Sequence, residues 1–271
     1  MGISAYRMLT SIARSKPDFL IIGASKCGTT SLYNYLTSHP QIASARSKEI
    51  HYFDIGFQRG SAWYRSNFPL RSRLRPTKVA HTRVLTGEAS PYYIFHPHAL
   101  RRISEALPQI LMIIILRNPV DRAYSHYNHS VRLGYETLSF EEAIAAEDGR
   151  LDGEVEKMRA DESYYSFNHQ YYSYQTRGIY ADQLLRLREL GFAPEQVLIL
   201  KSEYFFARPA DCLPKLWQFL QLNDCPPRNL AKLNTGSYEE MATATRHRLS
   251  KFYEPHNHRL DELLGRAFNW T

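Results

Sequence analysis

The sequence holds little cysteine. Its three residues, Cys27, Cys212 and Cys225, are odd in number and show no zinc-type pair spacing, which argues against a disulfide framework. Long hydrophobic runs are also missing. The longest, residues 110–116, is far too short to span a bilayer, and residues 1–16 lack the apolar centre of a signal peptide. The expectation is a soluble, cytoplasmic protein with no membrane partner. Lys and Arg outnumber Asp and Glu by 34 to 27, yet no long basic run occurs, so discrete anion pockets are expected rather than a nucleic-acid-binding tail. Neither an internal repeat nor a low-complexity segment interrupts the chain. With 271 residues and 44% hydrophobic side chains, it reads as one globular domain over 1–271, with residues 1–16 as an extension and a core from about 17 to 270.

What is present is an alternation of short apolar runs and helical patterns. Residues 19–22, 84–86, 110–116 and 197–200 read as strands covered on both faces, because they lack polar alternation. Helical patterns follow at 29–37, at 98–106, after Asn118-Pro119, at 180–190, at 214–220 and over a last stretch expected to kink at Pro255. The fold class expected is α/β, a central parallel β-sheet flanked by helices, with ligands beyond the carboxyl ends of the strands.

The strongest local signal is Gly23-Ala24-Ser25-Lys26-Cys27-Gly28-Thr29-Thr30-Ser31, between the first strand and the first helix. Two glycines allow a tight turn, and helix N–H groups with the hydroxyls of Thr29, Thr30 and Ser31 can bind phosphate or sulfate oxygens. Nucleotidase loops place lysine directly after the second glycine. Here Thr29 stands there and the lysine is Lys26. The 110–116 strand ends in Arg117, where an ATPase needs a magnesium-holding carboxylate. An anion donor handled without a metal is therefore expected, and a P-loop-type kinase loses weight. Past Arg117, residues 118, 122 and 125 share a helical face. An arginine fork with the Ser125 hydroxyl suits a second phosphate.

These segments, taken with Lys48-Glu49-Ile50-His51-Tyr52-Phe53-Asp54, Gly87-Glu88-Ala89-Ser90-Pro91-Tyr92, Gly178-Ile179-Tyr180 and an ending from Lys251-Phe252-Tyr253 to Trp270, occur in one order. Together they resemble the sulfotransferases that use 3'-phosphoadenosine-5'-phosphosulfate (PAPS), in particular heparan sulfate glucosamine 3-O- and N-sulfotransferases, in a bacterial-type form. The resemblance implies a P-loop-like sulfotransferase fold, PAPS as donor with 3',5'-adenosine bisphosphate (PAP) as product, and no metal. Ser25, Lys26, Cys27, Gly28, Thr29, Thr30 and Ser31 would then bind the 5'-phosphosulfate. Arg117 and Ser125 would bind the 3'-phosphate, with Tyr180 and the late segment Gly236, Ser237 and Tyr238 also at the donor. Glu49 matches the family's general base, with His51 and Asp54 beside it, while Trp63, Glu88, Tyr92, His129 and Tyr174 are acceptor-side candidates. Ala89 stands where heparan 3-O-sulfotransferases carry lysine, and the late loop has no cysteine, only Arg246 and Arg248 as substitutes for a basic stretch. The acceptor is accordingly a hydroxyl or an amine or amide nitrogen on a glycan or a small molecule.

Sulfuryl transfer needs a cation at the leaving phosphate, a role for Lys26, and a base at the acceptor. Glu49 would need its pKa raised by burial or by Glu88 or Asp54, and His51 is the rival base. His126 and His129 form at most half a metal site, and Cys27 is a nucleophile candidate without a partner. A polyanion-binding module without catalysis is the remaining alternative; it predicts affinity that falls steeply with salt.

Overall fold

The computed structural model describes residues 3–75, 83–225 and 239–270. Five strands form one parallel sheet: β1 (Phe19–Gly23), β2 (Ile42–Ser44), β3 (Leu85–Ala89), β4 (Leu111–Leu116) and β5 (Val197–Lys201), in the order β2-β3-β1-β4-β5. The four expected strands are found, three of them within one residue of the expected bounds, while the one expected at 84–86 extends three residues further, to Ala89. β2 was not foreseen: it is three residues long at the sheet edge, and Ser44 is already exposed. So short a segment carries too few side chains to show a period.

Six helices matter for the site: α1 (Thr29–Thr37), α2 (Ala99–Ala106), α3 (Pro119–Arg132), α4 (Tyr180–Glu189), α5 (Pro209–Phe219) and α6 (Thr243–Leu264). α3 starts as its sequence requires. The Asn118 side chain accepts the Val120 N–H at 2.9 Å, and Pro119 fills the first turn, where its missing N–H costs nothing. α5 starts five residues before the expected Pro214, because Pro209 takes the first-turn position and Pro214 lies inside the helix. α6 also runs through Pro255, which sits on its exposed side while Leu249, Tyr253 and Leu260 bury the other. Residue 178 must be glycine for α6 to approach: a Cβ there would lie 2.6 Å from the Tyr253 hydroxyl.

β1 runs between β3 and β4, and all five of its residues are buried. The chain leaves β1 toward β2 and β3, then crosses to β4 and β5 on the other side. Such a reversal opens a crevice at the carboxyl ends of the strands. All five strand ends contribute to it.

Candidate active site

A cleft of about 740 Å³ lies at those ends. From β1 come Ser25 to Ser31, from β2 Lys48, Glu49 and His51, from β3 Pro91 and Tyr92, from β4 Arg117, and from β5 Ser202. α3 adds Ser125, His126, His129 and Arg132.

The loop after β1 is held in shape by its neighbours. Ala24 N–H donates to Ile115 O at 2.9 Å, and Ser202 Oγ donates to Cys27 O at 2.9 Å. Gly28 has φ +99°, and a Cβ there would strike the Phe206 ring at 2.4 Å, so only glycine fits. Gly28 at the N-cap of α1 brings no capping side chain, and residues 29–31 line the cleft, so the positive dipole end of the helix there suits an anion. Cys27 is buried, and burial pushes its thiol pKa up, opposite to what a reactive thiolate needs.

Cations dominate the cleft walls. Burial, then Arg132, Arg117 and Arg122, depress Lys26 to about 8. His129 is lowered to about 4 by burial, Lys26 and Arg132, and burial drives His126 far down, so both are neutral imidazoles. Arg177 is buried, donates to His169 O and Gln170 O at 2.9 and 2.8 Å, and is stacked over Tyr92. Such a set repels itself until an anion arrives.

Among the described residues, Glu49 is the one carboxylate lining the cleft. Lys48 Nζ lies 2.6 Å from its Oε1 and donates to Thr30 Oγ1 at 2.6 Å, tying Glu49 to the start of α1. His51 Nε2 lies 3.1 Å from Glu49 Oε2, and His51 Nδ1 lies 2.7 Å from Asp54 Oδ2. Burial alone would lower His51, but its two carboxylate partners prevail and lift it to about 10. Burial likewise favours a neutral Glu49, yet His51 and Lys48 pull it down to about 2. The expected upward shift of Glu49 is thus reversed: its neighbours in space are cations, while Asp54 reaches it only through His51.

Glu88 lies beneath this group rather than in it. It is fully buried on β3 and accepts from Ser90 Oγ at 2.6 Å, Tyr93 OH at 2.7 Å and Tyr64 OH at 3.2 Å. Ser90 Oγ in turn accepts the N–H groups of Ile50 and His51, at 3.2 and 2.9 Å. The chain fixes His51 in this way at φ +54°, a left-handed conformation that costs a non-glycine residue about 1 kcal/mol. Burial lifts Glu88 to about 7 despite its donors.

The sequence candidates therefore divide. Residues 25–31, Glu49, His51, Tyr92, Arg117, Ser125 and His129 line the cleft. Asp54 stands behind His51, buried. Tyr180 is a support, donating its hydroxyl to Arg117 O at 2.9 Å. Trp63 packs against Tyr52 under Arg59, and Tyr174 is buried in a second core cluster with its hydroxyl on Glu136, so neither reaches the cleft. Arg246 pairs with Asp121 at 2.7 Å. Gly236, Ser237 and Tyr238 lie outside the described residues. Lys48, Arg132, Arg177 and Gln170 were not foreseen. Arg132 alone had a readable signal, since 125, 129 and 132 extend the helical face of 118, 122 and 125.

The model of the sulfotransferase domain matches residues 16–250. The chain belongs to the sulfotransferase family. A sulfotransferase from Alicyclobacillus acidocaldarius superposes with a TM-score of 0.70 at 32% identity, over 94% of this chain and 98% of that one. The membrane-associated sulfotransferase kil1 of Dictyostelium discoideum is 26% identical over 94% of this chain; the chain spans 66% of that relative's length. Human heparan sulfate glucosamine 3-O-sulfotransferase 6 is 29% identical over 95% of this chain and 74% of its own length. Within this sulfotransferase fold, the described residues include no group of three or more His, Cys, Asp or Glu placed to hold a metal, and no helix long and apolar enough to cross a membrane.

Proposed function

We propose that this chain transfers a sulfuryl group from PAPS to a hydroxyl or an amine or amide nitrogen of a glycan or small-molecule acceptor. The observation that carries this reading is the shared cleft: the N-terminus of α1 with Lys26, the Arg117–Ser125–Arg132 wall and the carboxylate of Glu49 open into one space. PAPS, when bound, supplies a sulfuryl group on a phosphate leaving group. Its 5'-phosphosulfate suits the loop at 25–31, and its 3'-phosphate suits Arg117 and Ser125. Lys26 neutralises charge gathering on the leaving oxygen.

Glu49 takes the acceptor proton. It must first give up an ion pair, because Lys48 and His51 hold it ionised but weakly basic. Lys48 also bonds Thr30 of the anion loop, so an anion on that loop competes with Glu49 for Lys48. Release of Lys48 makes Glu49 more basic only when donor is present. The related heparan sulfate enzyme makes an amino-sugar glycan the first acceptor to screen.

Calorimetry with PAP, with ATP and magnesium as control, tests the donor. Binding that prefers PAP is expected, and preference for ATP overturns the reading. Glu49→Gln is expected to keep PAP binding while transfer falls by a factor of about 10² to 10⁴. Unchanged transfer would remove Glu49 from the base role.

A further inference from the structure

Away from the cleft, three segments are basic and hold no acidic residue. Residues 3–16, 42–46 and 57–75 contain nine Lys and Arg and no Asp or Glu. These segments pack together. Arg7 Nε donates to Ser66 O at 2.6 Å, Arg14 Nη1 to Phe68 O at 2.8 Å, and Arg46 N–H to Asn67 O at 2.8 Å. Tyr6, Arg7, Arg14, Arg46, Leu70 and Arg73 line a cavity of about 340 Å³. Burial and the charges of Arg14, Arg46 and Arg73 all lower Arg7, the mark of cations crowded together. The nearest carboxylate along the chain, Asp18, is occupied by the Thr86 N–H and Arg83.

The same face carries apolar side chains held out of the core. Tyr6 is 62% exposed, Leu9 82% and Ile12 70%. Arg71 reaches back to Ile12 O at 2.8 Å, placing a guanidinium at the foot of this apolar group. Single exposed hydrophobic residues are ordinary, but three within seven residues, ringed by arginines and free of acidic neighbours on those segments, are not.

We infer that this face docks on an anionic lipid surface, with Leu9, Ile12 and Tyr6 entering the headgroup–acyl boundary and the exposed Arg71, Arg73 and Arg75 contacting lipid phosphates and carboxylates. A soluble polyanion satisfies the arginines but gives Leu9 and Ile12 nothing to bury against. A bilayer interface accepts both groups at once. The contact is peripheral and involves no spanning segment. Ala45–Lys48 links the face to the cleft, so docking brings the cleft near the membrane.

The test is sedimentation of the full chain with vesicles of phosphatidylcholine alone and of phosphatidylcholine with phosphatidylserine. Binding to the anionic vesicles only, weakened by salt, is expected. Arg73→Glu with Arg75→Glu should weaken it by at least about fivefold per arginine. Leu9→Ser with Ile12→Ser should weaken it at least about tenfold. Arg7 and Arg14 are left intact because they also hold backbone carbonyls, and matching melting temperatures show that the variants fold. No binding to anionic vesicles overturns the inference. So does unchanged binding by the Leu9/Ile12 variant together with equal displacement of both proteins by heparin, which would make the face a site for soluble polyanions.

Discussion

Lys26 offers the sharpest test of the donor site, because burial and three arginines hold its amine at about 8 rather than the usual 10.5. A dianionic phosphate on the loop removes that penalty and returns the amine to its ordinary range. Affinity then follows the fraction of free protein with Lys26 charged. Taking about 8 for the free protein and about 10.5 for the complex, PAP affinity should fall about tenfold between about pH 7 and about pH 9. The phosphates of PAP are already ionised throughout that window, so they contribute no slope. Calorimetry across that range, in buffers of different ionisation enthalpy, measures both the slope and the proton taken up. Lys26→Arg keeps the charge at every pH and should abolish the slope. Affinity that stays level in the wild type, or the same slope in Lys26→Arg, refutes the reasoning. In the unliganded protein the sign is reversed from that of an ion-paired lysine. The unfolded chain keeps the proton up to about 10.5 while the folded one releases it near 8, so stability rises with pH between those values. Lys26→Met should accordingly raise the melting temperature of the unliganded protein while removing PAP binding.

Three further expectations follow from the supports of the site. Asp54→Asn removes the nearer partner of His51, so the imidazolium pKa, read by NMR titration, should fall from about 10; a value that stays there would show that Glu49 alone holds the proton. Glu88→Leu strands the buried hydroxyls of Ser90, Tyr93 and Tyr64 and should cost about 2–5 kcal/mol in urea unfolding, with a loss below about 1 kcal/mol showing that the loop finds other partners. Gly178→Ala pushes a methyl against Tyr253 and should destabilise by about 1–3 kcal/mol, whereas an unchanged midpoint would mean that α6 yields.

Much of the architecture was written locally. Strand composition at 19–22 and 110–116, the glycines around Lys26 and the Asn118-Pro119 start of α3 each act through near neighbours in the chain, so sequence alone placed them. The two elements proposed to bind anions were legible for the same reason: a strand delivers Lys26 and Arg117 to one end of a parallel sheet wherever the rest of the chain goes. The direction of a polar side chain is not local. Glu88, Tyr174, Tyr180 and Trp63 look like site residues by type and by position next to motifs, but packing turned them into the supporting structure. The charge state of Glu49 was decided in space as well, by Lys48, by His51 and, through His51, by the buried Asp54. The clustered arginines of the basic face, Arg7, Arg14, Arg46 and Arg73, come from three segments and look unremarkable one by one. Only folding brings them together, because electrostatic energy depends on distance through space and not on separation along the chain.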